Sequence, residues 1–175
     1  MNEKILSTKR IYSGRIVTLD LCEVELIDGQ HQMREIIRHA GATAVIAVDA
    51  DDKILLVRQY RSASAKIMSE IPAGVLNPGE DPQVAAIREL QEETGYKPGK
   101  IISLGGLYTA PGYTQEYIHL YIATELIESR LPADEDEFIE VDRVSLSDAL
   151  TMIERGEIED AKTIIGLMRY ARHLV

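Results

Sequence analysis

Three glutamates close together in the sequence, Glu89, Glu92 and Glu93, are the residues best suited to carry chemistry. They fall in Pro82–Thr94, a segment with helical character, where a rotation of about 100° per residue places them within about one third of the circumference. Carboxylates crowded on one helix face repel one another. Their oxygens are also the ligands that Mg²⁺ prefers, with water and substrate phosphates completing the coordination. The pattern therefore indicates a site for a divalent cation.

A solvated acidic helix face is the alternative interpretation, and it is the more common one for acidic residues taken alone. The sequence context favours the metal site. Arg88 lies four residues before Glu92, where it can pair with that carboxylate and orient it. The loop before the helix is rich in glycine and proline, which breaks regular structure between residues 71 and 80. The residues in question are Pro72, Gly74, Pro78 and Gly79.

The sequence also predicts where this helix begins and ends. Asp81 is a suitable N-cap, and Pro82 fits the first helical position. Gly95 fits the C-terminal end. Val84, Ile87 and Leu90 fall on the side away from the glutamates, so we expect them to face a core.

Alternation of apolar residues and turn signals predict most of the other elements, and a β-branched, apolar run at residues 43–48 predicts a buried strand. A hairpin turn at Asp28-Gly29 joins two strands, and a last helix starts near Asp160. Ser147 is expected to cap a helix that ends at Arg155. The order of elements predicts an α+β fold with helices packed on sheets. The predicted strands are residues 15–27, 32–38, 43–48, 53–60, 101–108, 117–124 and 138–144.

Composition excludes several classes of protein. The 175 residues carry a formal net charge of −10, which argues against binding to a nucleic-acid backbone. A bound divalent cation would still allow a small anionic ligand. The single cysteine, Cys22, cannot form an intrachain disulfide, and we expect it to be buried in a strand. The sequence has no apolar run of membrane-spanning length and no signal peptide, so we expect a cytoplasmic location without membrane contact.

A longer pattern surrounds the glutamates. Gly74 is followed after five residues by Glu80, and after seven more by Arg88-Glu89-Leu90, one residue, Glu92-Glu93, one residue and Gly95. This pattern resembles the Nudix box. The family usually has an aliphatic residue at the next position, where this chain has Tyr96, a position that packs rather than reacts. The resemblance implies the Nudix fold, an α/β/α sandwich with a mixed β-sheet, and a small N-terminal antiparallel β-sheet beside it.

The resemblance also implies roles for the box residues. Glu89 and Glu93 would be the main ligands of Mg²⁺, for which Mn²⁺ could substitute. Glu92 would join them when further ions bind, and the backbone carbonyl of Ala73 would be another ligand. The remaining roles are orientation of the carboxylates by Arg88, support of the loop by Glu80, and backbone freedom at Gly74 and Gly79.

Residues outside the box resemble the ADP-ribose pyrophosphatase branch of the family. Pro111 lies sixteen residues beyond Gly95, although a simple Pro-Gly turn is an alternative. Residues 1–41 resemble the accessory sheet of a domain-swapped homodimer, which leaves residues 42–175 as the hydrolase domain. In that branch Tyr12 would stack on adenine, and Arg34 and Arg61 would hold phosphate. An exposed arginine or a packing tyrosine is the alternative for each. The full predicted substrate site is Tyr12, Arg34, Glu35, Arg58, Arg61, Pro111 and Gly112.

The acidic run at residues 134–137 is the candidate source of a general base. Water attacking phosphorus benefits from a base in addition to a metal. In the branch that this chain resembles, a glutamate on a loop after the main sheet supplies it. Alignment by the following strand favours Glu137, with Glu135 as the alternative. Acidic runs are usually only solvated loops, so this role depends on the resemblance.

The function implied is Mg²⁺-dependent hydrolysis of ADP-ribose to AMP and ribose 5-phosphate. Another nucleoside diphosphate derivative, such as GDP-mannose or NADH, is an alternative substrate. A non-catalytic nucleotide sensor is a further alternative from a different class. Such proteins often lose box carboxylates, and this chain keeps all of them.

Overall fold

A computed structural model of the chain describes residues 2–132 and 138–174. The chain forms two compact units, the first comprising residues 1–41 and 108–117, and the second residues 42–107 and 118–175. The sequence predicted that residues 42–175 belong together, whereas the segment 108–117 groups with the first unit. None of the helices among the described residues is long and apolar enough to cross a membrane.

The first unit contains a three-stranded antiparallel sheet with its second strand in the centre. The central strand alternates, and Asp20, Cys22 and Val24 are its buried residues. The predicted turn joins it to the third strand, where Gly29 has a φ of 80°. The first strand was not predicted, because all ten of its residues are exposed and no alternation marks it. The strands are β1 (Lys4–Ser13), β2 (Thr18–Glu25) and β3 (His31–Arg38).

The second unit is built on a mixed seven-stranded sheet. Its elements in chain order are β4 (Ala42–Val48), β5 (Lys53–Arg61), β6 (Lys66–Glu70), β7 (Ala73–Val75), α1 (Pro82–Thr94), β8 (Tyr96–Tyr108), β9 (Tyr117–Glu128), β10 (Glu140–Ser145), α2 (Leu146–Glu154) and α3 (Ala161–His173). The strand order is β10-β5-β4-β9-β8, with β6 beside β5 and β7 beside β4. Strand β4 runs parallel to β9 and antiparallel to β5 and β7.

Burial of β4 on both faces makes this sheet the middle layer of a sandwich. All seven residues of β4 are buried, and alternate residues of a strand point to opposite faces. Val45 and Ala47 pack in one apolar cluster with Ala86 and Leu90 of α1. The opposite cluster contains Ala44, Ile46, Ala149 of α2 and Leu167 of α3. The predicted α/β/α sandwich with a mixed sheet is therefore confirmed, as is the small antiparallel sheet.

Several local predictions were wrong. Val84 is 58% exposed, because it lies about 120° around the helix from buried Leu90. Ser145 rather than Ser147 caps α2, since its hydroxyl accepts the N–H of Asp148. The short strand β7 lies within the segment predicted to be irregular, and β6 was not predicted. Strand β8 begins five residues early, because left-handed Gly95 leads directly into it.

Candidate functional site

Strand β7 lies at the start of the box loop and against the glutamate-bearing face of α1. The sequence predicts that this face binds a metal. β7 pairs with β4, with Gly74 opposite Thr43. A Cβ atom at Gly74 would lie 2.0 Å from the Glu89 carboxylate. Glycine is therefore needed here for close approach and not, as predicted, for backbone freedom. Gly79 does need that freedom, because its φ is 77°.

The guanidinium group of Arg88 donates hydrogen bonds to three box carboxylates. Its Nε and Nη2 atoms contact the two oxygens of Glu80 at 3.0 and 3.1 Å. Its Nη1 atom contacts Glu89 at 2.6 Å and Glu92 at 2.8 Å. The hydrogen bonds between Arg88 and Glu80 raise the pKa of the arginine and lower that of the glutamate. Arg88 can therefore fix the orientation of charged carboxylates on α1.

Glu89 and Glu93 are buried despite their charge, with 9% and 5% of their surface exposed. The backbone N–H of Ala73 donates a hydrogen bond of 3.0 Å to Glu93 Oε2. Both carboxylates thus lie against residues 73–74, at the point where β7 begins. The four box carboxylates outnumber the one box arginine by three. A divalent cation would offset this excess of negative charge.

The donor types at this site fit a hard divalent cation, although the ligands are not gathered around one point. Within residues 2–132 and 138–174, no three His, Cys, Asp or Glu side chains are arranged as ligands of a common metal position. Carboxylate and carbonyl oxygens are nevertheless what Mg²⁺ takes, usually few from the protein and the rest from water and phosphate.

A second charged cluster, formed by Arg61, Glu70, Asp160 and Lys162, joins β5, β6 and the start of α3. Arg61 donates two hydrogen bonds of 2.8 Å to Glu70, which is 2% exposed. Lys162 donates another to the same carboxylate and lies 3.0 Å from Asp160, the N-cap of α3. Glu70 and Lys162 were not predicted as functional residues from the sequence. A signal was present, since a lysine in the first turn of a helix opposes the helix dipole and indicates an acidic partner elsewhere.

The second cluster predicts a loss of stability in acid. Burial acts to raise the pKa of Glu70, but hydrogen bonds from Arg61 and Lys162 outweigh it and lower the pKa from 4.5 to about 2. The resulting stabilisation, about 3 kcal/mol, is complete above pH ~4.5 and is lost as the pH falls towards 2. Urea unfolding at several pH values should therefore show a shallower decline of the unfolding free energy in Glu70→Gln than in wild type.

The control for this measurement is Glu159→Gln, because Glu159 pairs with Lys66 on the surface. We expect it to keep the wild-type dependence on pH. Equal slopes for wild type and Glu70→Gln between pH 5 and pH 2 would show that Glu70 is not the group responsible.

The roles predicted for the remaining residues of the second unit are not tested by their positions. Arg58 donates a hydrogen bond of 3.0 Å to Glu140 across β5 and β10, with 41% of its side chain exposed. Glu137 and Glu135, the candidate bases, lie outside the described residues. Their roles stay predictions.

Three predicted substrate residues lie on the sheet of the first unit. Tyr12 in β1 is 58% exposed. Arg34 in β3 pairs with Glu3 at 2.6 Å. Glu35 follows it in the same strand, so the two side chains point to opposite faces of the sheet. These positions do not test the predicted roles.

Pro111 and Gly112 lie in an exposed segment of the first unit. Backbone hydrogen bonds hold this segment to β3, from Ile37 to Tyr113 at 2.8 Å and from Gln115 to Ile37 at 3.2 Å. Pro111 and Gly112 form a turn closed by a hydrogen bond of 3.1 Å from the N–H of Tyr113 to the carbonyl of Ala110, and the turn is anchored to the sheet. A substrate contact of these two residues stays a prediction.

Comparison with known proteins defines the class. The model of the NUDIX domain matches residues 38–166, which include the whole box. A solved crystal structure of an ADP compounds hydrolase has a TM-score of 0.88 and 26% sequence identity, covering 99% of this chain and 95% of that one. The chain belongs to the Nudix family and is a Nudix pyrophosphohydrolase, as the sequence predicted.

Two curated relatives narrow the placement within the family. An ADP-ribose pyrophosphatase of Bacillus subtilis (strain 168) is 44% identical over 169 residues, covering 95% of this chain and 91% of the relative. A methanol dehydrogenase activator of Bacillus methanolicus is 47% identical over 167 residues, covering 94% and 90%. The predicted likeness to the ADP-ribose pyrophosphatase branch is confirmed.

Proposed function

We propose that this chain hydrolyses the diphosphate bond of ADP-ribose to AMP and ribose 5-phosphate, with Mg²⁺ as its metal. The observation that carries the proposal is the buried pair Glu89 and Glu93, held against residues 73–74 beside Arg88. The choice of substrate is supported by the similarity to the ADP-ribose pyrophosphatase of Bacillus subtilis.

The side chains of α1 have distinct parts in this proposal. Glu89, Glu93 and the carbonyl of Ala73 would hold the ion, and Glu92 would serve a further one. The bound ion supplies charge neutralisation at the diphosphate and activation of water, and Mn²⁺ could replace Mg²⁺. Arg88 keeps the carboxylates in place, since one guanidinium contacts several of them.

The rest of the proposed site binds the substrate. Arg34 and Arg61 bind phosphate groups by charge-assisted hydrogen bonds, and Tyr12 stacks on the adenine. Glu137 takes the proton of the attacking water, with Glu135 as the alternative. The remaining contacts of the proposed site come from Glu35, Arg58, Pro111 and Gly112.

A substrate panel tests the proposal. With Mg²⁺ present, kcat/KM for ADP-ribose should exceed that for GDP-mannose and NADH by at least about tenfold, a difference of ~1.4 kcal/mol in transition-state stabilisation. EDTA should abolish turnover. Faster hydrolysis of GDP-mannose or NADH would show that ADP-ribose is not the preferred substrate, while hydrolysis of a diphosphate bond would remain the proposed reaction. Absence of hydrolysis for all three, with Mg²⁺ or Mn²⁺, would favour the sensor.

We also propose a cytoplasmic homodimer formed through the sheet of the first unit. Strand β1 is exposed along its whole length and presents Ile5, Leu6 and Ile11 to solvent, an apolar surface of the kind that partners cover. Light scattering should give twice the chain mass of 19.5 kDa. The double variant Ile5→Glu/Ile11→Glu should give a monomer. A monomeric wild type would remove this part of the proposal.

A further inference from the structure

The second charged cluster contains one buried carboxylate, Glu70, that is shared by two cations. We propose that Lys162 is a positioning residue for substrate binding, which neutralises Glu70 and so leaves the charge of Arg61 available to a substrate phosphate. This inference rests on the proposed function, in which Arg61 binds phosphate. Lys162 itself contacts no substrate, because its Nζ atom is engaged by Glu70 and Asp160 and only 12% of its side chain is exposed.

Arg61 has hydrogen-bonding capacity beyond its pair with Glu70. The guanidinium group carries five N–H donors, and the two bonds to Glu70 use the Nε and Nη2 atoms. Of the Arg61 side chain, 38% is exposed. Glu70 is the first cause of the raised pKa of Arg61, and the charge of Glu93 also contributes. Arg61 therefore lies within electrostatic range of α1, where the diphosphate would bind.

The charges of the second cluster explain why a lysine is needed. Arg61 and Glu70 alone would form a neutral pair, which attracts phosphate weakly. Lys162 gives these three residues a net positive charge. With Asp160 included, the four side chains of the cluster have a formal charge of zero, so loss of Lys162 alone would leave a net negative charge beside the phosphate. The Asp160 carboxylate also accepts hydrogen bonds of 2.9 and 2.6 Å from the N–H and hydroxyl groups of Thr163. The N-terminus of α3 also stabilises it.

Removal of the lysine charge should weaken ligand binding more than turnover. In Lys162→Met, the KM for ADP-ribose and the Kd of its non-hydrolysable α,β-methylene analogue should rise about tenfold, with kcat within about threefold of wild type. Titration calorimetry of the full chain with Mg²⁺ gives the Kd without relying on activity. Lys162→Arg keeps the charge and should restore binding. Lys66→Met, which removes a surface partner of Glu159, should bind like wild type.

A double variant separates charge from structural damage. Glu70→Gln/Lys162→Met removes both opposing charges, so the charge of Arg61 is free again and the Kd should return to within about threefold of wild type. An unchanged Kd in Lys162→Met would overturn the inference. So would a double variant that binds as weakly as Lys162→Met, because a purely structural role predicts no recovery. Failure of the proposed function would instead appear as wild-type protein that does not hydrolyse ADP-ribose.

Discussion

Glu93→Gln should lower kcat for ADP-ribose by roughly 10²–10³, the effect of losing a few kcal/mol of charge stabilisation in the transition state. Glutamine has nearly the same shape and can still accept the hydrogen bond from Ala73. It lacks the negative charge that a metal ligand on α1 needs. Steady-state kinetics with saturating Mg²⁺ measure the effect, and circular dichroism checks that the variant folds.

Glu154→Gln is the matched control for Glu93→Gln. Glu154 is an exposed residue at the end of α2. It belongs neither to the box carboxylates around Arg88 nor to the second charged cluster. The same change of charge and shape there should leave kcat within about twofold of wild type, as surface substitutions usually do. Near-normal turnover by Glu93→Gln would show that Glu93 is not an essential metal ligand.

Gly74→Ala should lower kcat by about a hundredfold, because a shift of about 1 Å in a catalytic group can have an effect of that size. The added Cβ would lie 2.0 Å from the Glu89 carboxylate, far inside van der Waals contact. Either the carboxylate or β7 must move, and β7 is fixed by its pairing with β4. The same assay of ADP-ribose hydrolysis measures the loss.

Gly29→Ala is the control for adding a methyl group to a glycine. Gly29 has a φ of 80° with nothing within 4 Å of a built Cβ, so the substitution strains the backbone without a collision. It should cost about 1–2 kcal/mol of stability, because an L-residue is strained in the left-handed region, and leave kcat unchanged. Wild-type activity in Gly74→Ala would mean that the Glu89 carboxylate need not lie where the structure places it.

The sequence predicted the parts of the fold that local rules determine. Asp81 caps the start of α1 and Gly95 caps its end, as expected, since capping depends on residues within one turn. The buried strand β4 was predicted because burial on both faces leaves a nearly continuous apolar run, which only Thr43 interrupts. Strand β1 was missed, because an exposed strand has no apolar alternation and depends on pairing with β2.

The candidate site was predictable only where its residues lie close in sequence. Arg88 and Glu92 lie four residues apart on one helix, so their contact follows from helical spacing. The contacts of Arg88 with Glu89 and with Glu80 in the preceding loop do not follow from that spacing. The bond between Glu70 and Lys162 joins residues 92 positions apart. No local rule predicts such a contact, because it depends on how α3 packs beside β6. The same limit explains why the close approach of Gly74 to Glu89 was not foreseen.

Binding of Mn²⁺ to the protein without substrate tests most directly whether the buried carboxylates of α1 hold a divalent ion. Electron paramagnetic resonance measures free Mn²⁺ during a titration of wild type and Glu93→Gln. We expect wild type to bind Mn²⁺ and Glu93→Gln to bind it at least about tenfold more weakly, as loss of a charged ligand requires. Equal affinity in the two proteins would contradict the assignment of the metal to α1.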